Sequence, residues 1–253
     1  MNDALTHPAA IRVLSVLALV VLWIAAAAVT ADPLILPQPW SLLAPFAQEV
    51  ETGRLPWHLW KTLTRVIWAF VLAMSLGVVL GLLMGRLPAV DRWLDPWLVV
   101  FLNLPALVLI VLCYLWIGLN ETAAIAAVTL NKVPNVTTII REGARALDPG
   151  LSEMAQVFRM PAGRRLRHVV LPQLAPFIAG AARSGIAVIW KIVLVVEFLG
   201  RSNGIGFQIH LHFQQFAVGM VLIYSLSFIV VMLLVEWLVL QPFERRVRHW
   251  RTA

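Results

Sequence analysis

Lys132, Arg183, Lys191 and Glu197 lie inside long runs of Val, Leu, Ile and Ala, where an ionised side chain is costly. A cation at that depth can attract an anion, and a carboxylate near it can pair with it, but neither makes or breaks a bond. Asn131, beside Lys132, adds a neutral hydrogen-bonding group. Lys132, Lys191, Asn131 and Glu197 are therefore candidates for the wall of a solute pathway. The alternative is internal pairing: Lys191 with Glu197, or a lysine with carbonyls freed near Pro134.

Groups that catalyse are missing from the pattern. Trp60 precedes the only Lys-Thr pair, Lys61-Thr62, where a phosphate-cradling loop needs glycine. There is no Gly-x-Ser-x-Gly elbow and no His-Glu-x-x-His zinc helix. His210 and His212 have no Cys, Asp or Glu near them in sequence, so no metal site is expected. The single cysteine, Cys113, sits in an apolar run and builds neither a disulfide framework nor a thiolate cluster. The chain is not expected to be an enzyme.

The elements that must hold these residues follow from composition. Of 253 residues 60% are hydrophobic and 13% charged, against about 45–50% and about 25% in soluble domains. The excess apolar surface has to face lipid, so the expected fold is an all-α integral membrane domain spanning 1–253. Six runs approach the roughly 20 apolar residues that cross a bilayer: 11–29, 66–85, 97–117, 123–140, 175–199 and 216–240. Pro105 and Pro134 interrupt the third and fourth. Gly77, Gly81 and Gly85 line one helical face at four-residue spacing and are read as a packing surface, as are Gly180, Ala181, Ser184 and Gly185.

The net charge of +7 reads as topology, because the basic residues gather at the ends of the runs. With the N-terminus inside, thirteen of the 20 Arg and Lys fall on the inner side. They are Arg12, Arg86, Arg92, Arg141, Arg145, Arg159, Arg164, Arg165, Arg167, Arg245, Arg246, Arg248 and Arg251. Both termini are expected in the cytoplasm. The first run is read as a retained anchor, with a cleaved signal peptide as the alternative. Between the first two runs, Leu36-Pro37-Gln38-Pro39 is stiff and extended. Ser41 is expected to cap a short helix through Glu51, stopped by Gly53.

The cytoplasmic segment 141–172 is a polar, arginine-rich island. Asp148 and Pro149 start a helix, and Glu153 suits its first turn. Leu151, Met154, Ala155 and Phe158 form an apolar face on about two turns, a shape fit for docking. The alternative is a helix lying on the membrane surface. Pro161 ends it and begins a second helix, Ala162–Val170, carrying Arg164, Arg165 and Arg167.

Glu153-x-Ala155, followed by Val169-Val170-Leu171-Pro172, resembles the EAA loop of ABC importer permeases. Residues 143–149, GARALDP, resemble the segment just ahead of it. Val195–Gly200 and Ser202-Asn203-Gly204-Ile205-Gly206 resemble the following span and turn in the nitrate/sulfonate/taurine branch, as do Leu36-Pro37-x-Pro39 and Pro242–Arg246. The family glycine six residues after the glutamate is Arg159 here, with Pro161 as the candidate for the chain break, and Met154 displaces the second alanine.

The resemblance implies a type I permease of six spans in a bacterial inner membrane. It implies two copies of the permease, in a homodimer, two ATPase subunits docked on Glu153, Met154, Ala155, Phe158, Arg159 and Pro161, and a periplasmic binding protein. ATP and Mg belong to the ATPases, and this chain binds no cofactor. The cargo would be a small anion, sulfonate-, taurine- or nitrate-like. The alternatives are a non-anionic solute such as a vitamin precursor, and an ATP-independent secondary transporter; a third class, a structural scaffold, would not need prolines and lysines at membrane depth.

Overall fold

The structure, a computed structural model, describes residues 8–240; of residues 8–10, 12, 13, 239 and 240 it describes the backbone only. The expectations for Arg12, for Pro242–Arg246 and for Arg248 and Arg251 lie outside that description.

The described residues form helices and connecting turns, with no strand among them. The first helix, α1, covers Pro8–Thr30, and a 3-10 turn at Pro39–Leu42 leads into α2, Leu43–Glu51. Ser41 does not cap α2; its hydroxyl donates to the Gln38 carbonyl at 2.7 Å. Gly53, at φ +72°, turns the chain into α3, Arg54–Arg86. α4, Pro88–Asn103, and α5, Ala106–Ile117, follow. Asn120 caps α6, Glu121–Arg145, by accepting from the Ala123 N–H at 2.8 Å. Next come α7, Pro149–Val157, and α8, Ala162–Arg165, which runs through a π-helical turn at Leu166–Val170 into α9, Leu171–Gly200. α10, Ile205–Gln214, and α11, Val218–Val235, complete the fold, with a further π-helical turn at Glu236–Leu240.

Among the described residues, four helical stretches are long and apolar enough to cross a membrane: Arg54–Arg86, Glu121–Arg145, Ala162–Gly200 and Val218–Leu238. The expected third span is not one straight helix. α4 and α5 meet at 101°, and counting them as one broken span gives five. The apolar part of α1, Leu14–Thr30, is shorter. The break has a local cause. Pro105 pushes the residue before it out of the helical region, and Leu104 sits at φ −72°, ψ 123°. Pro134, in contrast, stays inside α6 without breaking it.

α6 is the central post, enclosed by α3, α5 and α9. A side-chain carbon added at Gly77, Gly81 or Gly85 would lie 2.5–2.7 Å from Val136, the Thr137 carbonyl or Ala144. The expected packing face is thus real, and it brings the α3 and α6 backbones close. The second small-residue group divides. Ala181 and Gly185 are buried against α6, whereas Gly180 and Ser184 are exposed. The end of the molecule carrying segment 141–172 is called the loop end below, and the end carrying residues 200–206 the turn end.

Candidate functional site

At the loop end, the Gly150 N–H donates to Asp148 Oδ1 at 2.8 Å, and Pro149 occupies the first helical position of α7. The Asp148 N–H donates to Gln173 Oε1 at 2.9 Å, which ties the start of α7 to the start of α9. α7 closes with paired hydrogen bonds, Met160 N–H to the Ala155 carbonyl and Arg159 N–H to the Gln156 carbonyl, both 2.9 Å. That pattern requires a left-handed residue between them, and Arg159 supplies it at φ +47°. So Arg159, where the resembling family has glycine, makes the break. Pro161 comes after it, in extended conformation, and starts α8.

The apolar face of α7 differs from the expectation at one residue. Ala155 is 1% exposed and turned against the chain's own helices, because it lies on the side that packs on the π-helical turn. The open side carries Leu151, Met154, Val157 and Phe158, with Phe158 75% and Val157 79% exposed. Glu153, Arg159 and Pro161 are exposed beside it. Asp91 on α4 pairs with Arg145 at 2.6 Å and Arg141 reaches both Asp91 and Asp95, which fastens the start of α4 to the end of α6.

At the turn end, Glu197 is fully buried and bonded on both oxygens. Oε1 receives Arg65 NH1 at 2.6 Å, and Oε2 accepts from the Thr62 hydroxyl and the Gly206 N–H, each at 2.9 Å. The same guanidinium binds Glu121 through Nε at 2.7 Å and NH2 at 2.6 Å. It also donates to the Asn203 backbone carbonyl at 2.9 Å and to its side-chain oxygen. Arg201 joins from above, donating to Glu121 and to the Leu119 carbonyl, each at 2.7 Å. His58 Nδ1 accepts from the Gly204 N–H at 3.0 Å.

The glycines of the turn are required by this closeness. A side-chain carbon on Gly204, at φ +109°, would fall 2.3 Å from the Glu197 carboxyl carbon, and one on Gly206 would fall 2.2 Å from the Leu194 carbonyl. The Val195–Gly206 motif is thus a knot joining α3, α6, α9 and α10. Glu197 belongs to it and pairs with Arg65, not with Lys191. Sequence reasoning did not assign Arg65, Glu121, Thr62 or His58 a role. The only signal was an arginine at the edge of an apolar run, and its two acidic partners stand 56 and 132 residues away.

The lysines are placed differently. Lys132 is 4% exposed, with its Cε 3.5 Å from where a side chain on Gly185 would begin. Lys191 is exposed on α9 at membrane depth. Neither makes a hydrogen bond or ion pair among the described residues. His210 meets Gln214 and the Phe198 ring, while His212 stacks on Tyr224. Burial pushes the pKa of His212 below the usual histidine value. Among the described residues no group of three His, Cys, Asp or Glu could hold a metal ion.

A bundle of membrane-length helices, interrupted by a polar loop bearing a short helix with an open apolar side, fits the plan of a transport permease. Residues 77–249 match the family described as binding-protein-dependent transport system inner membrane component, and the chain belongs to that family. It is 33% identical over 177 residues to SsuC of Escherichia coli, described as an aliphatic sulfonates transport permease, covering 68% of this chain and 66% of that one. The taurine transport system permease TauC of the same organism is 28% identical over 237 residues, 92% of this chain and 86% of that one. Among solved structures, an amino acid ABC transporter crystallised with histidines matches with a TM-score of 0.63 and 25% identity, over 79% of this chain and 98% of that one. The MetNI methionine ABC transporter in an inward-facing conformation matches equally in TM-score, 0.63, at 19% identity, over 79% of this chain and 98% of that one.

Proposed function

We propose that this chain forms the membrane pathway of an ATP-driven importer for a small organic anion of the aliphatic sulfonate or taurine kind. The observation that carries the substrate class is the set of lysines at membrane depth, Lys132 and Lys191, that close on no carboxylate among the described residues. The names borne by SsuC and TauC agree with it. In this reading the loop end faces the cytoplasm, as the excess of arginine there demands, and both termini share that side of a bacterial inner membrane. Two copies of the chain assemble, two ATPase subunits carry ATP and Mg, and a periplasmic binding protein delivers the solute.

The ATPases dock on the open side of α7, at Met154 and Phe158 with Glu153, Arg159 and Pro161 around them. Ala155 holds α7 on its own permease from the other side. Because Asp148 is bonded to Gln173, a displacement of α7 is passed to α9 and not absorbed in a slack loop.

The test is to co-express the chain with an ATPase and a binding protein that co-purify with it from its own cells and reconstitute the complex in liposomes. ATP-dependent uptake is then measured for ethanesulfonate, taurine and riboflavin. Uptake of either sulfonate, and not of riboflavin, is the expected result. Riboflavin uptake alone would favour the second reading, a permease for a vitamin-like solute, for which the 25% identity to the riboflavin permease RibX of Chloroflexus aurantiacus speaks.

A further inference from the structure

Resting on that importer reading, we infer that the pathway wall is one particular polar face, built by α6 and α9 together, with Lys191 as its attracting charge and Asn131, Asn135, Thr138 and Ser184 as its hydrogen-bonding groups. The argument begins with how the two helices meet. Lys132 of α6 lies against Gly185 of α9, and each residue along a helix steps about 100° around its axis. From Lys132, the positions turned one way, Val136, Ile140 and Ala144, receive the glycines of α3. The positions turned the other way by about 60–120° are Asn131, Asn135 and Thr138.

α9 repeats the pattern in mirror fashion. Turning one way from Gly185 leads to Glu197, whose carboxylate is held by Thr62 and Arg65 of α3. Turning the other way by about 60–120° leads to Ser184, Val188 and Lys191. α3 therefore lies on one side of the α6–α9 pair, and both free faces lie on the opposite side. They are continuous.

Accessibility agrees. Asn135, Ser184, Val188 and Lys191 are exposed and Asn131 and Thr138 are half-buried, while Gly180 has no atom near it. Along α6 and α9 these groups sit about 14–25 Å from the turn end, within the hydrocarbon depth. The other open faces contrast sharply in composition. α3 shows Ile67, Trp68, Val71, Leu72 and Val79, and α11 shows Leu226, Ile229, Val230, Leu233 and Leu234. Those faces suit lipid. A face of two asparagines, a threonine, a serine and a lysine does not: the Thr138 and Ser184 hydroxyls bond back to the Pro134 and Ala181 carbonyls, but the two amides and the ammonium would lie in hydrocarbon with no partner among the described residues.

The ligand chemistry follows from the groups. One ammonium, with amides and hydroxyls that can rotate to donate, suits an oxyanion headgroup that must be bound loosely enough to leave. Lys132 lies behind this face, packed between helices, and adds positive potential without touching the solute.

The test uses the assembled complex with Cys113 replaced by alanine and single cysteines introduced as Asn135→Cys or Ser184→Cys. Val71→Cys on α3 and Val230→Cys on α11 serve as lipid-facing controls. Each is treated with an anionic and a cationic methanethiosulfonate reagent, neither of which crosses membranes. The expected result is that both face cysteines react much faster than the controls and prefer the anionic reagent. Adding Lys191→Gln should reduce that preference about fourfold, as expected for one charge about 10 Å away acting oppositely on the two reagents. Equal labelling of face and control positions would overturn the assignment of the wall. A preference unchanged by Lys191→Gln would overturn the role of the lysine. Neither readout involves uptake, so a complex that fails to import ethanesulfonate would refute the substrate reading separately.

Discussion

Two sets of charged groups lie in the apolar belt or at its edge, and they are resolved in opposite ways. At the turn end, Arg65, Glu121, Glu197 and Arg201 close on one another, with Thr62, Asn203 and the glycine turn filling what remains. Nothing there is left to attract a solute. Nearer mid-depth, Lys132 and Lys191 have no counter-charge among the described residues. Charge at membrane depth is therefore no sufficient sign of a transport site, and the sign that matters is whether the charge is already answered. Glu197 looked like a pathway residue in sequence, and its environment makes it a tie between helices.

The contrast is sharpest under substitution. Glu197→Ala leaves the Arg65 guanidinium buried beside a void, and breaking a buried pair this way costs about 3–5 kcal/mol. Thermal unfolding of the purified complex should fall strongly, and Arg65→Met combined with Glu197→Leu should recover much of the loss. An unchanged unfolding temperature in the single variant would mean the knot holds nothing. Lys132→Met should act in the reverse sense. A lysine at this depth costs about 2.5–3.5 kcal/mol on insertion scales, so the variant should be at least as stable as the parent. Its uptake of ethanesulfonate should nevertheless drop about tenfold, equivalent to roughly 1.4 kcal/mol, and a drop in stability instead would make Lys132 a structural residue.

Smaller effects separate the two sides of α7. Phe158→Asp places a charge on the side read as the ATPase contact and should weaken co-purification of the ATPase by about 2 kcal/mol, the scale of an interface anchor. Ala155→Asp, one turn away but facing inward, should instead destabilise the loop itself, read as faster proteolysis of 148–162 before any ATPase is added. The smallest change is Arg159→Gly. A left-handed non-glycine residue costs about 1–2 kcal/mol and glycine brings an entropic cost of about 0.5–1, so a net gain of about 0.5 kcal/mol is expected. Slower hydrogen exchange at the end of α7 would register it.

Much of this could be read from residues in order. The last three apolar runs appear as helices close to their expected places, because length and hydropathy decide them. The packing role of Gly77, Gly81 and Gly85 was visible because small residues four apart have one obvious use. The two prolines were not separable in advance. Pro105 breaks its span through 101° while Pro134 stays in a helix, and the difference lies in neighbours: α6 is enclosed by α3, α5 and α9, and α4–α5 is not. α3 begins at Arg54, well before the apolar run, because Leu55, His58 and Thr62 pack on α10 and the turn. No local pattern announces that. The inward turn of Ala155 depended in the same way on a partner outside α7, the π-helical turn beside it.

The helix from Ala162 to Gly200 runs unbroken for 39 residues, about 58 Å at 1.5 Å per residue. One of its ends adjoins α7 and the other enters the Arg65–Glu197 knot. A rod of that length, tilting about its midpoint, moves each end by about 0.5 Å per degree, in opposite directions. The loop end and the turn end are thus two ends of one lever, with Ser184 about 5 Å from its fulcrum and Lys191 about 15 Å from it. Ser184 would then move least, Lys191 about half as far as the turn end, and the two ends most.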